Sequence, residues 1–176
     1  MNNRSFKILN PSEIEMAYNR ISAYIHRTPL VSSLILNNFL GHEILFKVEC
    51  LQKIGAFKIR GALNTLLSLK EQNALPKEVV AFSSGNHAQA VAYASKMLNV
   101  KATIILPSFI LPIKQQATKY YGAEVINTAT RKEAEEKTAE IASKGAFFIH
   151  PFDNDETIPN PIYNSKFSFI FLVKNL

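Results

Sequence analysis

The sequence predicts an α/β protein built on a parallel sheet, and two observations carry that reading. From Val79 onward, short β-branched and apolar runs alternate with segments of helical periodicity: strands at 79–82, 102–106, 123–126 and 146–149, helices at 87–98, 112–121 and 131–143. Strands joined by helices run parallel through right-handed crossovers. The second observation is the polar turn Ser83-Ser84-Gly85-Asn86 between the strand at 79–82 and the helix with Ala88, Val91, Ala92, Ser95 and Leu98 at helical spacing. In such sheets, sites form at the C-terminal ends of strands, where this turn lies.

The elements before that repeat are read singly. Asn10-Pro11-Ser12-Glu13 starts a helix, with Asn10 as N-cap, Pro11 in the first turn and Glu13 reaching back. Ile14, Ala17, Ile21 and Ile25 line one face of that helix. Arg27-Thr28-Pro29-Leu30 is extended, because the residue before a proline avoids the helical region. Residues 43–49 alternate imperfectly around Ile44, Phe46 and Val48 and read as a strand delivering the chain to Gly55-Ala56-Phe57-Lys58-Ile59-Arg60-Gly61-Ala62. A helix through Leu63, Leu66, Leu67 and Leu69 follows. In the helix at 131–143, Glu133, Glu135, Glu136, Lys137 and Glu140 form a solvated face with acid-to-base pairs along the axis. Arg131 at its start reads as an exposed helix-end arginine, the other reading being a ligand for a substrate carboxylate.

Composition bounds the function. The chain has 176 residues and an apolar share of 47%, enough for one domain or two small ones. Its net charge of +6 is scattered among acids without a lysine and arginine block, so nucleic acid is not an expected partner. The only cysteine is Cys50, which excludes an internal disulfide and points to a reducing compartment. Residues 1–7 show no apolar signal segment, and the expected address is the cytoplasm. His26, His42, His87 and His150 have no metal-ligand spacing, so no metal is expected. The apolar run Phe167-Ser168-Phe169-Ile170-Phe171-Leu172-Val173 is far shorter than the roughly 20 residues of a membrane span, and no membrane association is expected.

Two stretches are candidates for chemistry. Lys58 sits among small and apolar residues, and a lysine becomes a nucleophile when desolvation lowers its pKa. Phe57 and Ile59 are candidates to supply that desolvation, Arg60 a like charge acting in the same direction, and Gly55 and Gly61 room for a planar group. The alternative is an ordinary surface lysine at a helix start. The turn Ser83-Ser84-Gly85-Asn86 either binds an anion through free N–H groups and the helix dipole or is only an N-cap.

These stretches carry a resemblance. Lys47-Val48-Glu49, Gln52, the segment from Gly55 to Ala62, and Ser83-Ser84-Gly85-Asn86-His87-Ala88-Gln89-Ala90-Val91-Ala92 resemble the two N-terminal signatures of the fold-type II pyridoxal-phosphate enzymes, in the threonine dehydratase and serine racemase branch. Arg27-Thr28-Pro29-Leu30, Leu106-Pro107 with Pro112 and Lys114, Tyr121-Gly122-Ala123-Glu124-Val125 and His150-Pro151-Phe152-Asp153 match as well, in family order across about residues 10 to 158.

The resemblance implies a three-layer parallel α/β fold like that of the tryptophan synthase β chain, with the larger domain incomplete. Residues 1–68 would be the N-terminal part of the larger cofactor-binding domain, 69–157 the smaller domain, and 158–176 a tail in place of the remainder. Lys58 would carry pyridoxal 5'-phosphate on its amine and later remove the substrate Cα proton. Phe57 would pack beside the cofactor ring and Asn86 would bond its ring oxygen. Ser83, Ser84, Gly85, Asn86 and His87 would hold the substrate carboxylate. The implied reaction converts an amino acid, L-threonine or L-serine, to a 2-oxo acid and ammonia. Racemisation is the alternative, because serine racemases carry a serine at the position of Ser84 as acid and base on the opposite ring face. A plain helix-cap role is the other reading of Ser84. Intact members are expected to be homodimers.

After Asp155 the character changes. Thr157-Ile158-Pro159-Asn160-Pro161 is breaker-rich, and the residues that follow do not match the glycine-rich phosphate loop of family members. The expectation is a truncated gene product, inactive or persisting as a non-catalytic fragment that binds a full-length relative, with residues 69–155 compact and the preceding part exposing apolar surface.

Overall fold

The computed structural model describes residues 10–83, 85–107, 112–151 and 172–175, the last as backbone only. Helix α1, Pro11–Ile21, opens on the expected capping box. Asn10 Oδ1 accepts the Ser12 N–H at 3.1 Å, and Glu13 Oε2 accepts the Asn10 N–H at 3.0 Å, so side chains satisfy N–H groups that a helix start leaves open. Ala17 and Ile21 face inward. Arg20 ties the helix to α3, Lys58–Glu71, through Glu71 Oε2 and Asn64 Oδ1, each at 2.7 Å.

A small antiparallel sheet follows. Strand β1, Leu30–Ser32, pairs with β2, His42–Lys47, and β2 pairs in turn with the chain's last described residues. Between β1 and β2 lies a helix that the sequence reading did not anticipate, α2, Leu34–Leu40, ending on Gly41 in the left-handed region at φ +67°. Its apolar residues face outward: Leu34, Ile35 and Phe39 are 75%, 84% and 82% exposed.

The principal sheet is parallel throughout. Its strands are β3, Glu78–Phe82; β4, Lys101–Pro107; β5, Glu124–Thr128; and β6, Phe147–Phe148, in the order β5-β4-β3-β6. Helices α4, Asn86–Met97, α5, Pro112–Tyr120, and α6, Arg131–Ser143, connect them. In this sheet and its connecting helices, element ends lie within two residues of the sequence reading, whereas α1 stops at Ile21 and leaves Ile25, expected on its face, in extended backbone after a 3-10 turn.

Alternation along the strands sorts the core into two faces. Val79, Ala81, Ala102, Ile104 and Leu106 point to the side covered by α3 and α4, where Ile59, Leu63, Leu66 and Val91 complete the main core. Val80 and Ile105 point to the other side, under Ala134 of α6. The fold therefore has three layers. Helix α6 carries the paired charges expected of it, with Arg131 to Glu135 at 2.9 Å and Lys144 to Glu140 at 2.6 Å. Arg131 is mostly exposed and lies over the Phe82 ring, 5.9 Å from its centroid, as the exposed helix-end reading expected. No described helix is long and apolar enough to cross a membrane.

Strand order places the site. From β3 the chain moves outward to β4 and β5, then returns under the sheet through α6 to β6 on the other side of β3. The direction of travel reverses between β3 and β6, and a crevice opens at the carboxyl ends of such a pair. Two segments emerge there, the turn from Ser83 and the stretch Ile149-His150-Pro151.

Candidate active site

The backbone before Lys58 is unusual. Two short 3-10 turns, Glu49–Leu51 and Lys53–Gly55, lead from β2, and Ile54 and Gly55 are both left-handed, at φ +62° and +68°. Such a conformation suits glycine and strains a β-branched residue, so Ile54 is held there by its surroundings. Ala56 then extends and Phe57 begins the helix, which makes Lys58 the first residue of α3.

Lys58 is half-buried, and its Nζ donates to the Pro151 carbonyl at 2.7 Å. The amine also lies 5.2 Å from the centroid of the Phe57 ring. Burial pushes its pKa below the ordinary lysine value, since the charged form loses water. Lys58 thus stands at the helix start, as the alternative had it, but half-buried and hydrogen-bonded rather than freely solvated. Two of the assumed contributors act elsewhere. Ile59 is fully buried in the main core. Arg60 is taken up by the Glu49 carboxylate in a pair 2.7 Å long, so its charge is matched there.

The turn after β3 sits beside Lys58. Ser83 continues the sheet by donating its N–H to Ile105 O at 3.2 Å, and its Oγ accepts the Gly85 N–H at 3.2 Å. Gly85 caps α4, and Asn86 is its first residue, exposed. Ser84 lies outside the described residues. His87 is 7% exposed, and its Nε2 is 2.9 Å from Ile149 O. A carbonyl only accepts, so Nε2 carries the proton. Burial first, then the charges of Lys58 and His150, push the ring's pKa down to about 4 against the bond to Ile149, and the imidazole is neutral at pH 7.

The exit of β6 thus gathers two of the predicted residues. Ile149 O holds His87 and Pro151 O holds Lys58. Sequence reading missed both acceptors, because a backbone carbonyl has no signature in the sequence. It also gave no role to Lys114, whose Nζ lies 3.8 Å from where a Cβ on Gly85 would stand. The helical spacing of Pro112 and Lys114 gave no hint of contact with that turn.

A half-buried lysine of lowered basicity at the switch point of a parallel sheet sets an amine beside the positive end of a helix dipole. The family model for the pyridoxal-phosphate dependent enzyme matches residues 21–162. The chain is 43% identical over 144 residues to L-threo-3-hydroxyaspartate ammonia-lyase of Saccharomyces cerevisiae, covering 81% of this chain and 44% of that protein. It is 43% identical over 148 residues to serine racemase of Dictyostelium discoideum, covering 83% and 45%. Among solved structures, the threonine deaminase of T.th. superposes with a TM-score of 0.74 at 41% identity, covering 88% of this chain and 47% of that one. The chain belongs to the pyridoxal-phosphate dependent enzyme family, with its tryptophan synthase β-like fold. It spans less than half the length of these relatives.

The residues present fit the reactive end of that cofactor. Lys58 offers an amine whose burial favours the neutral form, and a Cβ at Gly61, in the next turn, would meet nothing within 4 Å. Asn86, exposed at the start of α4, has its amide accessible to a ligand. Among the described residues no cluster of histidine, cysteine, aspartate or glutamate is arranged to hold a metal ion.

Proposed function

We propose that the protein is an ammonia-lyase for a small 3-hydroxy amino acid, L-serine or L-threonine, releasing a 2-oxo acid and ammonia. The observation that carries this is the half-buried Lys58 amine of lowered basicity at the β3–β6 switch point. When bound, pyridoxal phosphate supplies an electron sink for the charge that develops at the substrate Cα. Lys58 Nζ would hold the cofactor, and its free amine would take the substrate Cα proton. Phe57 screens one side of that amine from water. Asn86 would orient the ring by a hydrogen bond to its oxygen. The turn Ser83–His87 draws in the substrate carboxylate through the positive end of α4, and the His87 ring braces that turn against β6.

In the same reading residues 1–68 belong to the larger cofactor-binding domain, 69–157 form the smaller one and 158–176 are a tail. The protein is cytoplasmic, and its whole form is a homodimer. Serine racemisation is the second reading, favoured by Ser84, which supplies a hydroxyl in the sequence where a second proton carrier is needed. The test is a pyridoxal-phosphate titration of the purified chain, followed by visible absorbance, borohydride trapping and peptide mapping. A stoichiometric adduct on Lys58, with 2-oxo acid released from serine or threonine, supports the lyase. D-serine formation supports the racemase. Labelling scattered over many lysines sinks both and leaves a non-catalytic fragment.

A further inference from the structure

Two residues beyond Lys58, the same helical turn carries a basic group in a different setting. Arg60 is 8% exposed, and its guanidinium forks onto the Glu49 carboxylate, Nε to Oε2 at 2.8 Å and Nη2 to Oε1 at 2.7 Å. Glu49 Oε1 also accepts the Thr28 hydroxyl at 2.6 Å, and Arg60 Nη2 lies 3.4 Å from Thr28 Oγ1 and 3.5 Å from His26 O. Glu49 and Thr28 are buried too. Hydrogen bonds from Arg60 and Thr28 hold the Glu49 carboxyl below its ordinary pKa against the opposing effect of burial, which is the largest single influence on it.

A second layer closes over this cluster. Gln52 donates to His26 O at 2.7 Å and accepts from the N–H groups of His26 and Lys53, each at 2.9 Å. Lys47 donates to Thr28 O at 2.5 Å. Three chain segments, at 26–28, 47–53 and 58–60, are fastened together through side chains.

Stability alone does not account for the arrangement, because a buried ion pair rarely exceeds apolar residues of the same shape. A bidentate fork gives fixed distance and fixed plane. The turn it fixes needs that help. Phe57 makes no side-chain cap bond to α3, and the two residues before Ala56 are left-handed, so neither a cap nor regular backbone holds the helix start.

We propose that the Thr28–Glu49–Arg60 cluster is the positioning device for Lys58, holding the first turn of α3 so that the amine stays seated on the Pro151 carbonyl and partly out of water. The three act through Lys58 and are positioning residues. Their consequence for cofactor attachment rests on the function proposed above, whereas the seating of the amine is a property of the free chain.

The test uses the full chain and the variants Arg60→Lys and Thr28→Val. Competitive acetic anhydride labelling across pH, mapped by mass spectrometry, gives the pKa of the Lys58 amine without cofactor. Urea unfolding gives stability, and borohydride trapping of pyridoxal phosphate gives the share of adduct at Lys58. Arg60→Lys keeps a charge and loses the fork. The Lys58 pKa is then expected to rise toward the ordinary lysine value, and its share of adduct to fall by about 10- to 100-fold, as for a reacting group misplaced by about 1 Å. Thr28→Val, which leaves the fork intact, is expected to shift both in the same direction by less. If either folded variant loses stability while the Lys58 pKa and adduct share stay unchanged, the cluster is merely structural and the proposal fails. Should Arg60→Lys not fold, Thr28→Val decides by the same criterion. If the variants shift the Lys58 pKa and yet the unaltered chain forms no Lys58 adduct, the positioning stands and the functional reading falls.

Discussion

The Lys58 amine and the Pro151 carbonyl, 93 residues apart in sequence, meet at 2.7 Å. With His87 held on Ile149 two residues earlier, the exit of β6 becomes a common acceptor for the amine and for the first turn of α4. Lys58→Arg keeps a cationic donor for Pro151 O and loses the primary amine. The variant is expected to fold as the unaltered chain does and to form no trapped pyridoxal-phosphate adduct, as read by absorbance and peptide mapping. An adduct of undiminished stoichiometry would place the attachment on another lysine.

Burial also gives Lys58 a pH signature. Only the neutral amine attacks a carbonyl, and its folded pKa is lowered from the ordinary value. Adduct formation at Lys58 is therefore expected to reach half its maximal rate at a lower pH than the reaction of a simple alkylamine. Between the lowered folded pKa and the ordinary unfolded one, the unfolded chain binds more protons, so this group makes stability rise with pH in that window. Lys58→Met removes that contribution. A pH profile of unfolding that is unchanged in the variant would contradict the burial of the charge.

His87 acts at the acid end. Its folded pKa, about 4, lies below the value of 6.5 for a free imidazole. Above pH 6.5 neither state is charged and the residue has no effect on the slope. As pH falls from 6.5 toward 4 the unfolded chain takes up a proton that the folded chain does not, so stability drops at a rate approaching ~1.4 kcal/mol per pH unit. Urea unfolding of the unaltered chain and of His87→Phe across that range isolates the contribution, since shared carboxylates cancel in the difference. Parallel profiles would show that His87 is not buried as a neutral ring.

Much of this architecture is legible in the residues themselves. The alternation from Val79 to Ile149 has the right period because each strand is covered on both faces and each helix on one. Helix α2 escaped because Leu34, Ile35 and Phe39 point to solvent, so its apolar residues mark no buried stripe. The Glu49–Arg60 pair escaped for another reason. Its partners are eleven residues apart across two irregular turns, a separation that no helical or strand period brings together. Position in sequence suggested that Arg60 would act on Lys58 by charge, and only the fold shows that its charge is matched by Glu49.

The two glycines flanking Lys58 should respond oppositely to alanine. At Gly55 a Cβ would meet only Cys50 O, at 4.0 Å, so space is available, but φ is +68°. Gly55→Ala is expected to destabilise by about 1 kcal/mol through backbone strain. Gly61 is helical and faces open space, so Gly61→Ala is expected to stabilise by about 0.5 kcal/mol through helix propensity. The same added methyl intrudes on the room read for a planar cofactor, so pyridoxal-phosphate affinity should fall as stability rises. Affinity and stability rising together would show that the space beside Gly61 is not used.

Ser95 tests the interior of α4. The residue is fully buried, and its Oγ finds no partner among the described residues. A buried hydroxyl without a hydrogen bond loses its hydration and gains nothing in return, a penalty of about 1–3 kcal/mol. Ser95→Ala removes the oxygen, leaves a void of less than a methyl group and improves helix propensity. These effects are expected to sum to a gain of about 1 kcal/mol or more, read as a higher urea midpoint at unchanged slope. A loss of stability instead would mean that the hydroxyl is satisfied, most simply by a buried water bridging α4 and its neighbours, because only a made hydrogen bond turns the same deletion into a penalty.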